Sequence, residues 1–319
     1  MLPSDYTELI GDIKDALARD TGSSFAIIGH TPTSYDLRAF FAGTESRVRL
    51  LGIYAPCSRG VPMKGIKNLD ELLEDKPDFA IVASDVAKEE LLEQALPFLG
   101  PSTKILVGGS GHLAFRDPIL DSVVRDCLVP SLANGYSNSL THIYQCLQNA
   151  ARLELEGVVV EFGVYKGGTT MVLSRLIEHL GRSWKVVAFD TFAGFPPKRS
   201  ALDMYDHPDF FCDEASVRRY LAGRDVEIIS GDIVSTVGRI HGQDVVLAFV
   251  DTDNFSSAKA VLDVIQDRVV AGGAIIVDHF TGRNRGFRYT LGERLAAKRL
   301  LDDKRYFHLH DTGVFFKHI

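Results

Sequence analysis

Three carboxylates in the second half of the chain close apolar runs, and their spacing suggests one chemistry. Glu161 lies in Val158-Val159-Val160-Glu161-Phe162, Asp190 ends Val186-Val187-Ala188-Phe189-Asp190, and Asp232 follows Ile228-Ile229-Ser230-Gly231. After the first run comes Gly163-Val164-Tyr165-Lys166-Gly167-Gly168-Thr169-Thr170, a glycine-rich turn leading into a helical pattern. In open α/β sheets such a turn lets a ligand approach the backbone at the carboxyl ends of the strands. Asp190 offers the two-oxygen acceptor that a ribose diol needs. Three acids at consecutive strand ends repel a pyrophosphate, so the expected ligand is a neutral or cationic nucleoside.

The elements that must position these residues form two βα series. In the first, strands are expected at 24–29, 48–54, 79–83 and 104–107, with helices at 6–19, 35–41, 69–73 and 88–99. Alternation at this length implies a parallel sheet with right-handed crossovers. This smaller Rossmann-like α/β domain is placed at 1–112. Its first turn, Gly29-His30-Thr31-Pro32-Thr33-Ser34, lacks the dinucleotide glycine pattern, and Pro32 removes an N–H that a phosphate would use. A structural or substrate-presenting role is expected there, with no assigned ligand. A helical connector follows at 113–155, broken at Pro130 and at Asn134-Gly135.

The second series, 156–319, is expected to carry strands at 158–162, 185–190, 226–230, 245–250, 274–278, 306–310 and 313–318. Asp311-Thr312 is too short for a crossover, so the last two strands must form an antiparallel hairpin. Five parallel strands followed by that hairpin give a seven-stranded Rossmann-like sheet of the methyltransferase type rather than the dehydrogenase type.

Composition bounds the rest. The chain has 319 residues, is 45% hydrophobic and carries a net charge of -7, enough for two cores and unsuited to non-specific binding of nucleic acid or an acidic membrane face. No apolar run approaches the roughly eighteen residues of a membrane span. The N-terminal stretch is amphipathic and acidic, unlike a signal peptide. Cys57, Cys127, Cys146 and Cys212 show no paired spacing and read as reduced thiols. A cytoplasmic protein is expected.

At this point the residues resemble a family. Glu161 to Thr169, Phe189-Asp190-Thr191-Phe192-Ala193-Gly194-Phe195-Pro196, Gly231-Asp232, Val250-Asp251-Thr252-Asp253-Asn254-Phe255 and Gly272-Gly273-Ala274-Ile275-Ile276-Val277-Asp278 are similar, in order and separation, to the macrocin O-methyltransferases. The resemblance covers about 130–319. It implies a class I S-adenosylmethionine-dependent O-methyltransferase acting on a small-molecule hydroxyl, often on a sugar of a natural product, and a homo-oligomer. It places Glu161, Gly163, Tyr165, Gly167 and Thr169 at the methionine end of the cofactor, Asp190 at the ribose, and Asp232 with Ile233 by the adenine.

The resemblance further implies a divalent metal, usually magnesium, held by an acid after the fourth strand and an acid pair after the fifth. Asp251 and Asp278 stand at those ends, and carboxylates there suit a hard cation. The second member of the acid pair is replaced by His279. Two readings follow. Either Asp251, Asp278 and His279 hold a metal with an altered ligand, or His279 acts as general base without one. Asp251 and His279 are the expected catalytic residues.

Other features have plainer readings. Asp253 is expected to bind solvent or to cap the helix starting near Ser256, rather than to hold a metal directly. The loop 202–211 is either a lid or a packed surface loop, and Arg283, Arg285 and Arg288 either clamp an anionic acceptor or start a solvated helix. His308 and His310 are expected to face solvent or a subunit contact. The alternatives to methyl transfer are an NAD(P)-dependent oxidoreductase, an enzyme of the cephalosporin-hydroxylase type, and a fold that has lost its chemistry.

Overall fold

The computed structural model describes residues 7–19, 22–43, 49–56, 64–113, 115–133, 139–206, 211–281 and 289–318. Its contacts divide the chain into Met1–Phe115 and Arg116–Ile319. Asn134-Gly135, the Arg283, Arg285 and Arg288 cluster, Cys57 and positions 207–210 of the expected lid lie outside the described residues.

In the first unit, β1 (Ser24–Ile28), β2 (Arg49–Tyr54), β3 (Phe79–Val82) and β4 (Lys104–Val107) form a parallel sheet in the order β2-β1-β3-β4. Alternate residues of β1 serve opposite faces, as a sheet covered on both sides requires. Phe25 and Ile27 join Leu9 and Ile13 of α1 (Thr7–Arg19) and Leu37 and Phe41 of α2 (Pro32–Ala42). Ala26 and Ile28 face Leu72 of α3 (Leu72–Asp75) and Ala95 of α4 (Lys88–Ala95).

The helix expected from Tyr35 starts three residues earlier. Pro32 occupies its first turn, and Thr31 and Ser34 form a capping box. The order reverses between β1 and β3, where a sheet of this kind would bind a nucleotide. The polar groups there are already engaged with one another. Thr31 Oγ1 donates to Ala83 O, and the buried Lys88 donates to Gly108 O and Gly109 O and pairs with Asp85 at 2.8 Å.

The second unit contains β5 (Val158–Phe162), β6 (Val186–Asp190), β7 (Val226–Ser230), β8 (Val245–Val250), β9 (Val269–Val277), β10 (Tyr306–His308) and β11 (Val314–Lys317). The order is β10-β11-β9-β8-β5-β6-β7, with β11 antiparallel to both neighbours and the remaining pairs parallel. This is an α/β fold with a seven-stranded sheet closed by an antiparallel hairpin. The hairpin connection is longer than the two residues expected, because β10 and β11 are separated by Leu309–Gly313, with Asp311 at φ +62°. β9 begins five residues before its expected start.

The segment expected as a connector packs within this unit. Leu120 and Val123 of α5 (Pro118–Arg125) and Ile143, Tyr144 and Leu147 of α6 (Ser139–Arg152) share one core with Val172, Leu173 and Leu176 of α7 (Gly168–His179). Val159, Leu247 and Ile276 of the sheet complete that face. On the other face Val160, Ala248 and Ile275 pack with Val261 and Leu262 of α10 (Phe255–Arg268) and with Ala296 and Ala297 of α11 (Leu291–Ala297). Two shorter helices, α8 (Glu214–Tyr220) and α9 (Ile233–Thr236), flank β7 in sequence.

Candidate active site

The register brings the site together. Phe162 pairs with Val250, and Val250 with Val277, so the next residue on each strand, Gly163, Asp251 and Asp278, stands abreast of the others. Two hydrogen bonds extend the ladder to them: Asp251 N donates to Phe162 O and Asp278 N to Val250 O, both at 2.9 Å. Above these ends opens a cavity of about 420 Å³, lined among others by Gly163, Tyr165, Asp190, Ile233, Asp251, Asp253 and His279.

The expected cofactor residues divide into two groups. Gly163, Tyr165, Asp190 and Ile233 line the cavity, whereas Glu161, Gly167, Thr169 and Asp232 are not among its lining residues. Asp190 Oδ2 accepts from Val164 N and Tyr165 N, both at 2.8 Å, and Oδ1 accepts from Phe192 N at 2.8 Å, so one carboxylate ties the glycine turn to the loop after β6. Gly167 starts α7 at φ +82°, and Thr169 Oγ1 lies 2.7 Å from Ser131 Oγ. Asp232 caps α9 through Val234 N at 3.0 Å and pairs with Arg199.

Glu161 lies fully buried on the α7 face of β5, where Thr170 Oγ1 donates to its Oε2 at 2.5 Å while Oε1 has no hydrogen-bond partner among the described residues. Burial raises its pKa from 4.5 to about 8; the Thr170 bond opposes this and the Asp190 charge adds to it. A carboxyl whose folded pKa is raised adds stability that is full below its unfolded value and is lost as pH rises through the folded one. The cofactor-free protein is therefore expected to lose stability between about pH 4.5 and 8. Glu161→Gln should remove that part of the slope, a difference on the order of a few kcal/mol. Thermal melts of both proteins across this range check it; parallel slopes would show that Glu161 is ionised throughout.

The deepest part of the site concentrates acid around one imidazole. His279 Nδ1 lies 3.7 Å from Asp251 Oδ1, 3.7 Å from Asp253 Oδ1 and 3.5 Å from Glu293 Oε2, and Nε2 lies 3.3 Å from Asp278 Oδ2. Burial and the neighbouring carboxylates of Asp278, Asp253 and Glu293 push Asp251 well above the usual carboxylate range. Burial, with Glu293 next, pushes Asp253 up to about 7, against the lowering effect of His279. For His279 burial opposes the charge, but Glu293, Asp278 and Asp253 outweigh it and raise the imidazole to about 9. At neutral pH it therefore holds its proton, which speaks against the base reading.

Four carboxyl groups packed around one imidazole cannot all ionise without further positive charge, which a bound cation would supply. One ligand atom from each of Asp251, Asp278 and His279 lies within 4.8 Å of the other two. Donor type and spacing thus fit a single divalent ion.

Comparison with known proteins agrees with this geometry. The family described as Macrocin-O-methyltransferase (TylF) matches residues 129–318. The chain belongs to this family. It is an S-adenosylmethionine-dependent O-methyltransferase. Among solved structures, the O-methyltransferase NovP is similar at 21% identity and TM-score 0.47, over 56% of this chain and 79% of NovP. The calicheamicin methyltransferase CalS11 is 19% identical with TM-score 0.43, over 64% and 94%. The Podospora anserina methyltransferase PaMTH1, bound to S-adenosylhomocysteine, is 16% identical with TM-score 0.41, over 64% and 89%. No curated protein matches the sequence.

Several residues of this methyltransferase site were not foreseen. Glu293, on α11, is fully buried, and its Oε1 accepts from Thr252 N at 2.9 Å. A signal was present: Glu293, Ala296, Ala297 and Leu300 are the buried positions at helical spacing, and one of them is an acid. Tyr205 lines the cavity, stacked on Phe195 at 5.2 Å. Burial, and then Asp253 and Asp251, raise its phenol pKa.

The segment carrying Tyr205 is clamped to the start of α10. Asn254 Oδ1 accepts from Tyr205 N at 3.0 Å and Nδ2 donates to Tyr205 O at 2.9 Å. Asp203 accepts from Arg199 N, Ser200 N, Ser256 N and Ser256 Oγ at 2.7–2.9 Å. Asp203, not Asp253, therefore supplies the cap near Ser256. Asp253 sits at φ +59° and points its carboxylate toward the cavity residues instead. In its described part, the loop expected as lid or surface loop is packed. Asp203→Ala is expected to cost on the order of 2–3 kcal/mol, as four donors lose one acceptor and α10 loses its cap. Denaturant unfolding measures it, and a change under about 0.5 kcal/mol would contradict the clamp.

Proposed function

We propose that this methyltransferase acts on a sugar hydroxyl of a small molecule, a glycosylated natural product or a nucleotide sugar, with assistance from a divalent ion. The observation that supports it best is that Asp251, Asp253 and His279 line the cavity that also carries the glycine turn, with buried Asp278 within 4.8 Å of Asp251 and His279, ligand atom to ligand atom. Asp251, Asp278 and His279 would hold the ion, and a bound ion would supply a Lewis acid that lowers the pKa of the acceptor hydroxyl.

The chain's own residues do the rest. Gly163, Tyr165, Asp190 and Ile233 place the cofactor, with Glu161, Gly167, Thr169 and Asp232 supporting them from behind. The cationic sulfonium suits the acidic lining. Phe195 and Tyr205 form a flat aromatic wall that suits the CH face of a sugar ring. The acceptor oxygen attacks the methyl carbon as the carbon–sulfur bond breaks, releasing neutral S-adenosylhomocysteine. Its proton passes to Asp253, whose elevated pKa matches a base at neutral pH.

The test is calorimetric titration of the cofactor-free protein with S-adenosylhomocysteine and, separately, with NADH. It is followed by mass detection of methyl transfer to a panel of nucleotide sugars and glycosides. Binding of the homocysteine nucleoside and one added methyl on a sugar are expected. Binding of NADH alone would overturn the reading and favour the oxidoreductase alternative.

A further inference from the structure

Resting on that reading, we infer that the metal of this enzyme is a first-row transition ion ligated by the imidazole nitrogen of His279, and that Glu293 is the positioning residue that makes His279 a ligand. Glu293 is a fully buried acid on an apolar helix face, and one of its oxygens, Oε1, is fixed by Thr252 N at 2.9 Å and faces Thr252 Oγ1 at 3.4 Å. The other oxygen, Oε2, is buried without a hydrogen-bond partner of ordinary geometry and lies 3.5 Å from His279 Nδ1. Leaving a buried carboxylate oxygen unsatisfied is costly unless the site uses it.

Both flanks of Glu293 are held. At Gly292 an added Cβ would meet Leu202 O at 2.5 Å, so α11 is pressed against the clamped segment. Arg294 donates to Phe280 O, one residue beyond His279, and its guanidinium lies 4.5 Å from the Phe280 ring. The carboxylate is thus locked on the same short stretch that carries the imidazole.

This arrangement specifies a tautomer. With Nδ1–H directed at Glu293 Oε2, the lone pair of a neutral ring belongs to Nε2, which lies 3.3 Å from Asp278 Oδ2. Carboxylate–imidazole–metal relays are built this way, the outer acid fixing the ring and raising its basicity. A bound ion would take the place of the Nε2 proton, while the Nδ1 proton would stay on the ring, facing Glu293. The set also keeps its charge: His279 removes one negative charge from the acid pair, and Glu293 returns it at one remove. A nitrogen donor in place of an oxygen shifts preference from magnesium toward manganese, cobalt or zinc.

The experiment uses the full chain and the metals alone. Mn2+ affinity is measured by continuous-wave electron paramagnetic resonance, Mg2+ by competition, and the ligand atoms of bound Mn2+ by electron spin echo modulation. Imidazole nitrogen modulation is expected in the wild type. His279→Asp should abolish it and lower the Mn2+-over-Mg2+ preference at least tenfold. Glu293→Gln should weaken Mn2+ about 10- to 100-fold, with S-adenosylhomocysteine affinity within about twofold of wild type.

Bound Mn2+ without nitrogen modulation, an unchanged preference in His279→Asp, or no saturable ion binding would each overturn the inference. If both variants fail to fold, the nitrogen signal of the wild type still decides. S-adenosylhomocysteine binding without the metal result sinks this inference alone. Loss of that binding in the wild type sinks the methyl-transfer reading beneath it.

Discussion

Asp251→Asn is expected to lower turnover by a factor of about 10³ or more, within the range for removing one charged group from a reacting centre. Binding of S-adenosylhomocysteine should stay within a few-fold. The separation follows from the geometry. The Asp251 backbone is fixed by its bond to Phe162 O, and the carboxamide has the shape of the carboxylate, so the cavity keeps its form. What disappears is one charge from a set of four acids.

Because burial and four neighbouring carboxylates oppose ionisation of Asp251, the substitution should not destabilise the cofactor-free protein and should raise its melting temperature. A loss of activity with a gain of stability is the signature of a group kept for function. Single-turnover methyl transfer, calorimetry and thermal melting together measure it. Turnover within tenfold of wild type would remove Asp251 from the reaction. Equal loss of nucleoside binding would move it to the cofactor site.

The residues that build this centre differ in how far sequence revealed them. Glu161, Asp190, Asp251 and Asp278 close apolar runs whose period marks strands, and parallel strands bring their carboxyl ends to one edge. Local pattern was enough for those. Glu293 lies 41 residues beyond Thr252, to which it bonds, and no local pattern records that the two meet. The same holds for Asp203 and Ser256, 53 apart, so the cap near Ser256 was assigned to the adjacent Asp253.

The first helix turn after β1 is hard to read for a different reason. Pro32 removes a phosphate donor and equally suits a helix's first turn, and sequence alone does not say which property is used. The hairpin was legible in kind, since no short link permits a crossover, but its loop was underestimated. The longer turn is held by Leu309 N donating to Val314 O at 3.0 Å and Thr312 Oγ1 donating to Leu309 O at 2.7 Å, bonds that no local sequence pattern records.

The largest loss of stability is expected at Gly163, and its cause is steric. Gly163 holds φ +100°, and a Cβ there would meet Asp251 O at 1.9 Å, a rigid backbone atom of the neighbouring strand end. Gly181, after α7, also has a positive φ, +64°, but a Cβ there meets nothing within 4 Å. The two positions separate conformational strain from collision. Gly181→Ala should cost on the order of 1 kcal/mol, the ordinary penalty of a left-handed alanine. Gly163→Ala adds a clash that moving β5 and β8 apart would relieve only by breaking their ladder, so about 4 kcal/mol or more is expected.

Gly163→Ala should also weaken S-adenosylhomocysteine at least tenfold, even where the variant remains folded, because the displaced strand ends are the floor of the cavity. Urea unfolding of both variants, with calorimetry below the transition, makes the comparison. If Gly163→Ala costs no more than Gly181→Ala, the strand ends do not pass as closely as the register requires. The juxtaposition of Gly163, Asp251 and Asp278, on which the site depends, would then fail.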